Sequence, residues 1–176
     1  MIERKKYLEA LIRRQWNHRI KVITGIRRCG KSTLLFELFR EYLLSSGVSE
    51  NNIISLALDD DLNEKYRDPH CLSAYVRELA SDPAQKYYVL IDEIQFAISK
   101  EALRQKDQPV RLYSVLNGFL RLKNIDVYVT GSNSKMLSKD ISTEFRGRGD
   151  EVKVYPLSFR EFYEACGQDK MDADNE

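Results

Sequence analysis

Apolar residues in this chain switch repeatedly between two spacings. Short runs rich in β-branched and aromatic residues predict strands at Ile20 to Thr24, Asn52 to Leu58, Tyr87 to Glu93, Asp126 to Thr130 and Glu151 to Tyr155. Between these runs the spacing becomes helical. Tyr7, Leu8, Leu11 and Ile12 share one face of a segment from Glu3 to Arg14. Ser32 to Leu43 carries a second apolar stripe, and Ser45-Ser46-Gly47 ends it. Leu72, Tyr75, Val76 and Leu79 are expected to face inward from a helix over Cys71 to Ala80. Leu112, Val115, Leu116, Phe119 and Leu120 do so from one over Val110 to Leu122. Ser158, with Glu161 three residues on, forms a capping box that opens a final helix. Strands alternating with helices predict an α/β fold. The core is expected over residues 1–166, with a polar tail at 167–176 that frays.

The junction after the first strand carries the clearest chemistry. Gly25-Ile26-Arg27-Arg28-Cys29-Gly30-Lys31-Ser32, followed by Thr33, satisfies the P-loop pattern GxxxxGK[ST] between a strand and a helix. Successive backbone N–H groups in such a loop converge on phosphate oxygens, and the new helix presents its positive dipole end to them. Gly25 and Gly30 allow close backbone approach. Lys31 is expected to reach the β- and γ-phosphates and Ser32 to hold Mg²⁺ through its hydroxyl. Cys29 occupies a variable position that asks only for a small side chain.

The third predicted strand ends in Asp92-Glu93. A continuous apolar run suits a buried parallel strand, whose carboxyl end delivers both acids to where ligands bind. Asp92 then orients Mg²⁺, directly or through its water. Glu93 aligns an attacking water or accepts its proton. The triplet Asp59-Asp60-Asp61 spreads its carboxylates in different directions and reads as a loop or a helix cap. Ile94 to Pro109 forms a polar connection of a length that marks functional or mobile loops. Beyond the fourth strand, Ser132 and Asn133 are candidates to sense the γ-phosphate. Asn133 is preferred because its amide both donates and accepts. Arg146 and Arg148, beside flexible glycines, suit a charge that must reach phosphate.

Composition adds limits. The length of 176 residues fits one domain, and 43% hydrophobic content supports a core. Lys+Arg 28 against Asp+Glu 27 leaves a formal net charge of +1, so no basic footprint indicates nucleic acid. Three cysteines, Cys29, Cys71 and Cys166, lack metal-ligand spacing and fit a reducing compartment. The amino terminus lacks a signal peptide's apolar core, and no run reaches membrane-span length. The chain reads as cytoplasmic.

In order, the P-loop, Ile91-Asp92-Glu93-Ile94-Gln95, Val129-Thr130-Gly131-Ser132-Asn133-Ser134, Gly147-Arg148 and Tyr155-Pro156-Leu157-Ser158-Phe159-Arg160-Glu161-Phe162 carry a joint resemblance. They resemble the core of prokaryotic AAA+-type ATPases whose chains continue into a winged-helix segment and a C-terminal domain of uncharacterised function. The resemblance implies an additional-strand P-loop NTPase with a five-stranded parallel sheet in the order 5-1-4-3-2. It also implies Lys31 and Ser32 on phosphate and Mg²⁺, Asp92 as the Walker B acid and Glu93 as the catalytic glutamate. Asn133 becomes the polar sensor, and Arg148 an arginine acting in its own subunit or on a neighbour's nucleotide. ATP and Mg²⁺ are the implied ligands, and an oligomer is implied if Arg148 acts in trans. The family's chains are usually longer, so this one is read as an ATPase core. The alternative is a nucleotide-gated switch that a protein partner reads, with little hydrolysis; a small-molecule kinase fits less well, because Glu93 beside Asp92 suits activation of water.

Overall fold

The computed structural model describes residues 2, 4–98, 111–132 and 147–166. Helix α1, Lys5–Ile12, precedes strand β1, Ile20–Thr24. The helix after the P-loop, α2, starts as Lys31–Thr33, widens into a π-helical segment at Leu34–Phe39 and closes as Arg40–Ser45. Then follow β2 (Ile53–Ala57), α3 (Pro69–Leu79), β3 (Tyr87–Asp92), α4 (Arg111–Phe119), β4 (Ile125–Gly131), β5 (Gly149–Lys153) and α5 (Phe159–Cys166).

All five strands pair in parallel in the order β2-β3-β4-β1-β5, the expected order read from the other edge. The central strands β1, β3 and β4 are buried along their whole length, whereas the edge strand β2 alternates. Because successive side chains alternate across a strand, the sheet builds a core on each face. On one face Val22, Val89, Ile91, Val127 and Val129 pack with Leu72 and Val76 of α3 and Leu112, Leu116 and Phe119 of α4. On the other, Ile23, Leu90 and Tyr128 pack with Leu11 of α1 and Leu34, Leu35, Phe39 and Leu43 of α2.

Local signals account for most boundaries. Asp68 caps α3, accepting from the N–H groups of His70 (2.9 Å) and Cys71 (3.0 Å), with Pro69 in the first turn. The Ser158–Glu161 capping box forms: Ser158 N–H donates to Glu161 (2.8 Å) and Glu161 N–H to Ser158 Oγ (3.2 Å). Asp60 caps the 3₁₀ turn Asp61–Arg67 by accepting from Leu62 N–H at 2.9 Å, which bears out the cap reading of the acidic triplet. Leu79 departs from expectation. It is 43% exposed, because the last turn of α3 reaches the edge of the sheet, where among the described residues no strand follows β2. Among the described residues, no helix is long and apolar enough to cross a membrane.

Candidate functional site

The phosphate loop leaves the carboxyl end of β1. A Cβ on Gly25 would lie 2.4 Å from the Val154 carbonyl oxygen and 2.7 Å from Cys29 Sγ, so only glycine fits where the loop crosses the exit of β5. Gly30 has φ of 87°, a left-handed conformation, and its carbonyl accepts from Leu34 N–H at 3.0 Å to open α2. Ile26, Arg27 and Arg28 are exposed, whereas Cys29 is buried in the α2-side core, as a small apolar filler would be. Lys31 is only 4% exposed; its Nζ donates to the carbonyls of Gly25 (3.3 Å) and Ile26 (3.1 Å), so the ammonium spans the start of the loop. Ser32 is exposed and Thr33 half-buried on the first turn of α2.

The two acids stand at the end of β3, beside β4. Asp92 is 3% exposed and accepts from the Thr130 hydroxyl. Burial pushes its carboxyl pKa up. Hydrogen bonds from Ser32 and Thr130 pull it down, and the charges of Glu93 and Asp59 add to the rise. Glu93 leaves the strand in the left-handed region at φ of 52°, and its N–H donates to Thr130 Oγ1 at 3.1 Å. One hydroxyl thus fixes both acids. Ser132 Oγ lies 2.5 and 2.7 Å from the two carboxylate oxygens of Glu93, and the Gln95 amide donates to the same group. A non-glycine residue at positive φ is costly and persists where its surroundings over-determine it; here bonds to three neighbours, Thr130, Ser132 and Gln95, do so.

Among the described residues no group of three or more His, Cys, Asp or Glu is placed to hold a metal. A Mg²⁺ ion does not need one, since it binds through one or two carboxylates completed by substrate phosphates and water. The Ser32 hydroxyl turned to a buried Asp92 fits that donor set, and a cation beside Asp92 relieves the burial penalty on its charge.

This penalty makes a prediction. Because the folded-state pKa of Asp92 lies above 3.8, the unfolded chain ionises first as pH rises. The cost therefore grows with pH through the window above 3.8 and then levels off. Asp92→Asn should raise the melting temperature of the ligand-free protein at neutral pH by a few degrees, about 1 kcal/mol, with no gain at the acid end of that window. Thermal denaturation across pH checks this, and a lower melting temperature at neutral pH would refute it.

The structure brings Lys31, Ser32, Asp92 and Glu93 together at the carboxyl ends of the strands, but not Arg148. Arg148 is exposed and directly precedes β5, and its carbonyl accepts from Ile20 N–H (2.9 Å) at the amino end of β1. A strand of five residues separates it from the loop, about 16 Å at the usual rise per residue. Arg148 therefore does not reach its own chain's phosphate loop. Asn133 and Arg146 lie outside the described residues. Sequence reasoning missed Thr130 and Gln95 and ranked Ser132 second. The small polar residues closing β4 carry the signal for Thr130 and Ser132, and the Gln95 that closes the DEIQ run carries its own.

Comparison with known proteins agrees with this architecture. A family described as "AAA domain" matches residues 17–163. An uncharacterised protein of Haemophilus influenzae is 36% identical over 171 residues, covering 97% of this chain and 40% of its own length. The chain thus spans well under half of that relative. Among solved structures, AMPPCP-bound DnaA from Aquifex aeolicus is similar at TM-score 0.58 and 17% identity, over 99% of this chain and 52% of that one. A Walker-type ATPase of Pyrococcus abyssi is similar at TM-score 0.57 and 17% identity, over 92% and 55%. At such identities the two structures speak for the fold alone, and the family match covers most of the chain. With a phosphate loop on β1, an acidic pair on β3 and β4 between them, the chain belongs to the AAA domain family.

Proposed function

We propose that this chain binds ATP with Mg²⁺ and hydrolyses it to ADP and phosphate. The convergence of Lys31, Ser32, Asp92 and Glu93 at one end of the sheet carries the reading. The loop N–H groups and the Lys31 ammonium bind phosphate oxygens, which requires Lys31 to exchange its two carbonyl partners for the nucleotide. Ser32 and Asp92 would hold the metal, whose charge offsets that of the β- and γ-phosphates. Glu93 orients a water in line with the γ-phosphate and accepts its proton. Most of the catalysis is then positioning and charge stabilisation. Adenine as the base is supported by the family resemblance, which an AMPPCP-bound protein of the same fold accompanies.

A second reading follows from the hydrogen bonds on Glu93. With Ser132 on both oxygens and Gln95 on one, the carboxylate is engaged rather than free to take a proton. A chain held in that state acts as a nucleotide-gated switch, and hydrolysis waits until Glu93 is released. Arg148 has a place in either scheme only on the nucleotide of a neighbouring copy.

Phosphate release with ATP and with GTP, with and without Mg²⁺, separates these readings. Turnover that needs Mg²⁺ and is lost in Lys31→Ala supports the enzyme. Nucleotide binding without phosphate release above background supports the switch. A Lys31→Ala protein that binds ATP as tightly as wild type defeats both. Turnover per chain that is independent of protein concentration and unchanged in Arg148→Ala removes Arg148 from any role.

A further inference from the structure

Arg4 is an unusual residue for an amino terminus. It is 6% exposed, adopts a left-handed backbone with φ of 44°, and precedes the stretch matched by the family. Its carbonyl accepts from the N–H groups of Tyr7 (2.9 Å) and Leu8 (3.2 Å), which fixes it to the start of α1. Its guanidinium packs 4.6 Å from the centre of the Tyr7 ring. From there the fork reaches three separate parts of the chain. Nη1 donates to the carbonyl of Cys29 at 3.1 Å, Nη2 donates to the carbonyl of Tyr155 at 2.6 Å, and Nε pairs with Glu161 Oε1 at 3.0 Å. The other oxygen of Glu161 is taken by Ser158, whose N–H and hydroxyl lie 2.8 and 2.9 Å away.

The Cys29 contact bears on phosphate chemistry. A trans peptide is planar, with its carbonyl and its N–H pointing in opposite directions. The described chain contains no cis peptide, so a Cys29 carbonyl aimed at Arg4 turns the Gly30 N–H away from Arg4. Gly30 is the residue best able to rotate, since φ of 87° and the lack of a Cβ leave that peptide free to flip. A flip would replace a donor by a carbonyl oxygen, which repels phosphate. Among the described residues the guanidinium makes one hydrogen bond to the loop, from Nη1 to Cys29, while Nη2 bonds the exit of β5 and Nε, without a hydrogen bond of its own, lies in ion-pair range of Glu161 on α5.

We infer that Arg4 is a positioning residue for the phosphate loop, one that locks the Cys29–Gly30 peptide with its N–H presented to the nucleotide. This rests on the ATP-binding reading and extends it to a residue that touches neither phosphate nor metal. The price of the left-handed backbone at Arg4 fits the same role, because it aims the side chain beneath the loop.

The test is titration of a fluorescent ATP analogue into wild type, Arg4→Met and Glu161→Gln, with melting temperatures measured alongside. Arg4→Met keeps the apolar stem against Tyr7 and removes every donor. It should bind the analogue about tenfold more weakly or worse, as expected for losing a charged donor that fixes a binding group. Glu161→Gln loses the ion pair but keeps Arg4 on Cys29, so its affinity should stay within about twofold of wild type even if its melting temperature falls. Arg4→Ala leaves room for a free guanidinium, and millimolar guanidinium should restore binding to it by refilling the site, an effect that general loss of stability would not produce. Wild-type affinity in Arg4→Met, or an equal loss in Glu161→Gln, overturns the inference. If Arg4→Met does not fold, Arg4→Lys takes its place. It keeps the charge for Glu161 but lacks the fork for two carbonyls, and wild-type affinity there overturns the inference equally. Failure of wild type itself to bind the analogue would instead sink the ATP reading.

Discussion

Replacing Glu93 by Gln is expected to lower ATP turnover by about 10²- to 10⁴-fold while leaving ATP binding intact, the range that a positioned general base supplies. The substitution is nearly isosteric. With its oxygen at the Oε2 position the amide still accepts from Ser132 and from the Gln95 amide, and the backbone N–H still donates to Thr130, so the left-handed turn after β3 keeps its supports. Only the proton acceptor is lost. Neither Lys31 nor Ser32 depends on Glu93 for its position, since Lys31 bonds carbonyls of its own loop and Ser32 faces Asp92. Binding and chemistry should therefore separate cleanly. Phosphate release measured beside titration of a fluorescent ATP analogue checks this. Unchanged turnover removes Glu93 from its role, and loss of binding in step with turnover would mean that Glu93 supports the loop instead.

The residues legible in the sequence are those whose chemistry is contiguous. Gly25 to Thr33 carries strand, loop and helix in one uninterrupted stretch, and Asp92-Glu93 closes an apolar run, so both show without knowledge of what lies beside them. The sheet order needed the resemblance, because five apolar runs do not state which pairs with which. Contacts across strands were hidden for the same reason. Thr130 joins Asp92 to Glu93 only because the register sets Ile91 beside Val129, and hence Asp92 beside Thr130. Arg148 shows the converse. Its glycine neighbours suggested reach, but pairing of Gly149 with Ile20 puts it at the amino ends of the strands. Arg4 carries no such signal, because nothing near it in sequence announces that Cys29, Tyr155 and Glu161 meet around it.

The same cross-strand logic puts the largest stability effect far from the phosphate loop, at a lysine that the pattern of β1 gave no reason to bury. Lys21 is fully buried, its ammonium paired with Asp126 of β4, which is 3% exposed. Asp126 also accepts from the Tyr128 hydroxyl (2.9 Å) and Trp16 N–H (3.0 Å), so one carboxylate serves three donors. Asp126→Asn keeps an oxygen for Tyr128 and Trp16 but removes the carboxylate that pairs with Lys21. Stranding a buried ammonium should cost about 3–5 kcal/mol, a large part of the stability of a domain this size. Burial already holds the Lys21 pKa below 10.5, against the pull of Asp126 and Asp150. Without Asp126 it falls further, so the unfolded chain binds more protons than the folded one over a wider range below 10.5. The variant should then regain stability as pH rises from the lysine's folded-state pKa towards 10.5, where folded and unfolded chains both carry the neutral amine. Adding Lys21→Met to Asp126→Asn removes the stranded charge and should recover most of the loss at neutral pH. Chemical denaturation of the two single variants and the double at several pH values measures this coupling. A double variant no more stable than Asp126→Asn would show that the carboxylate's bonds to Trp16 and Tyr128, rather than its charge, hold β4 against β1.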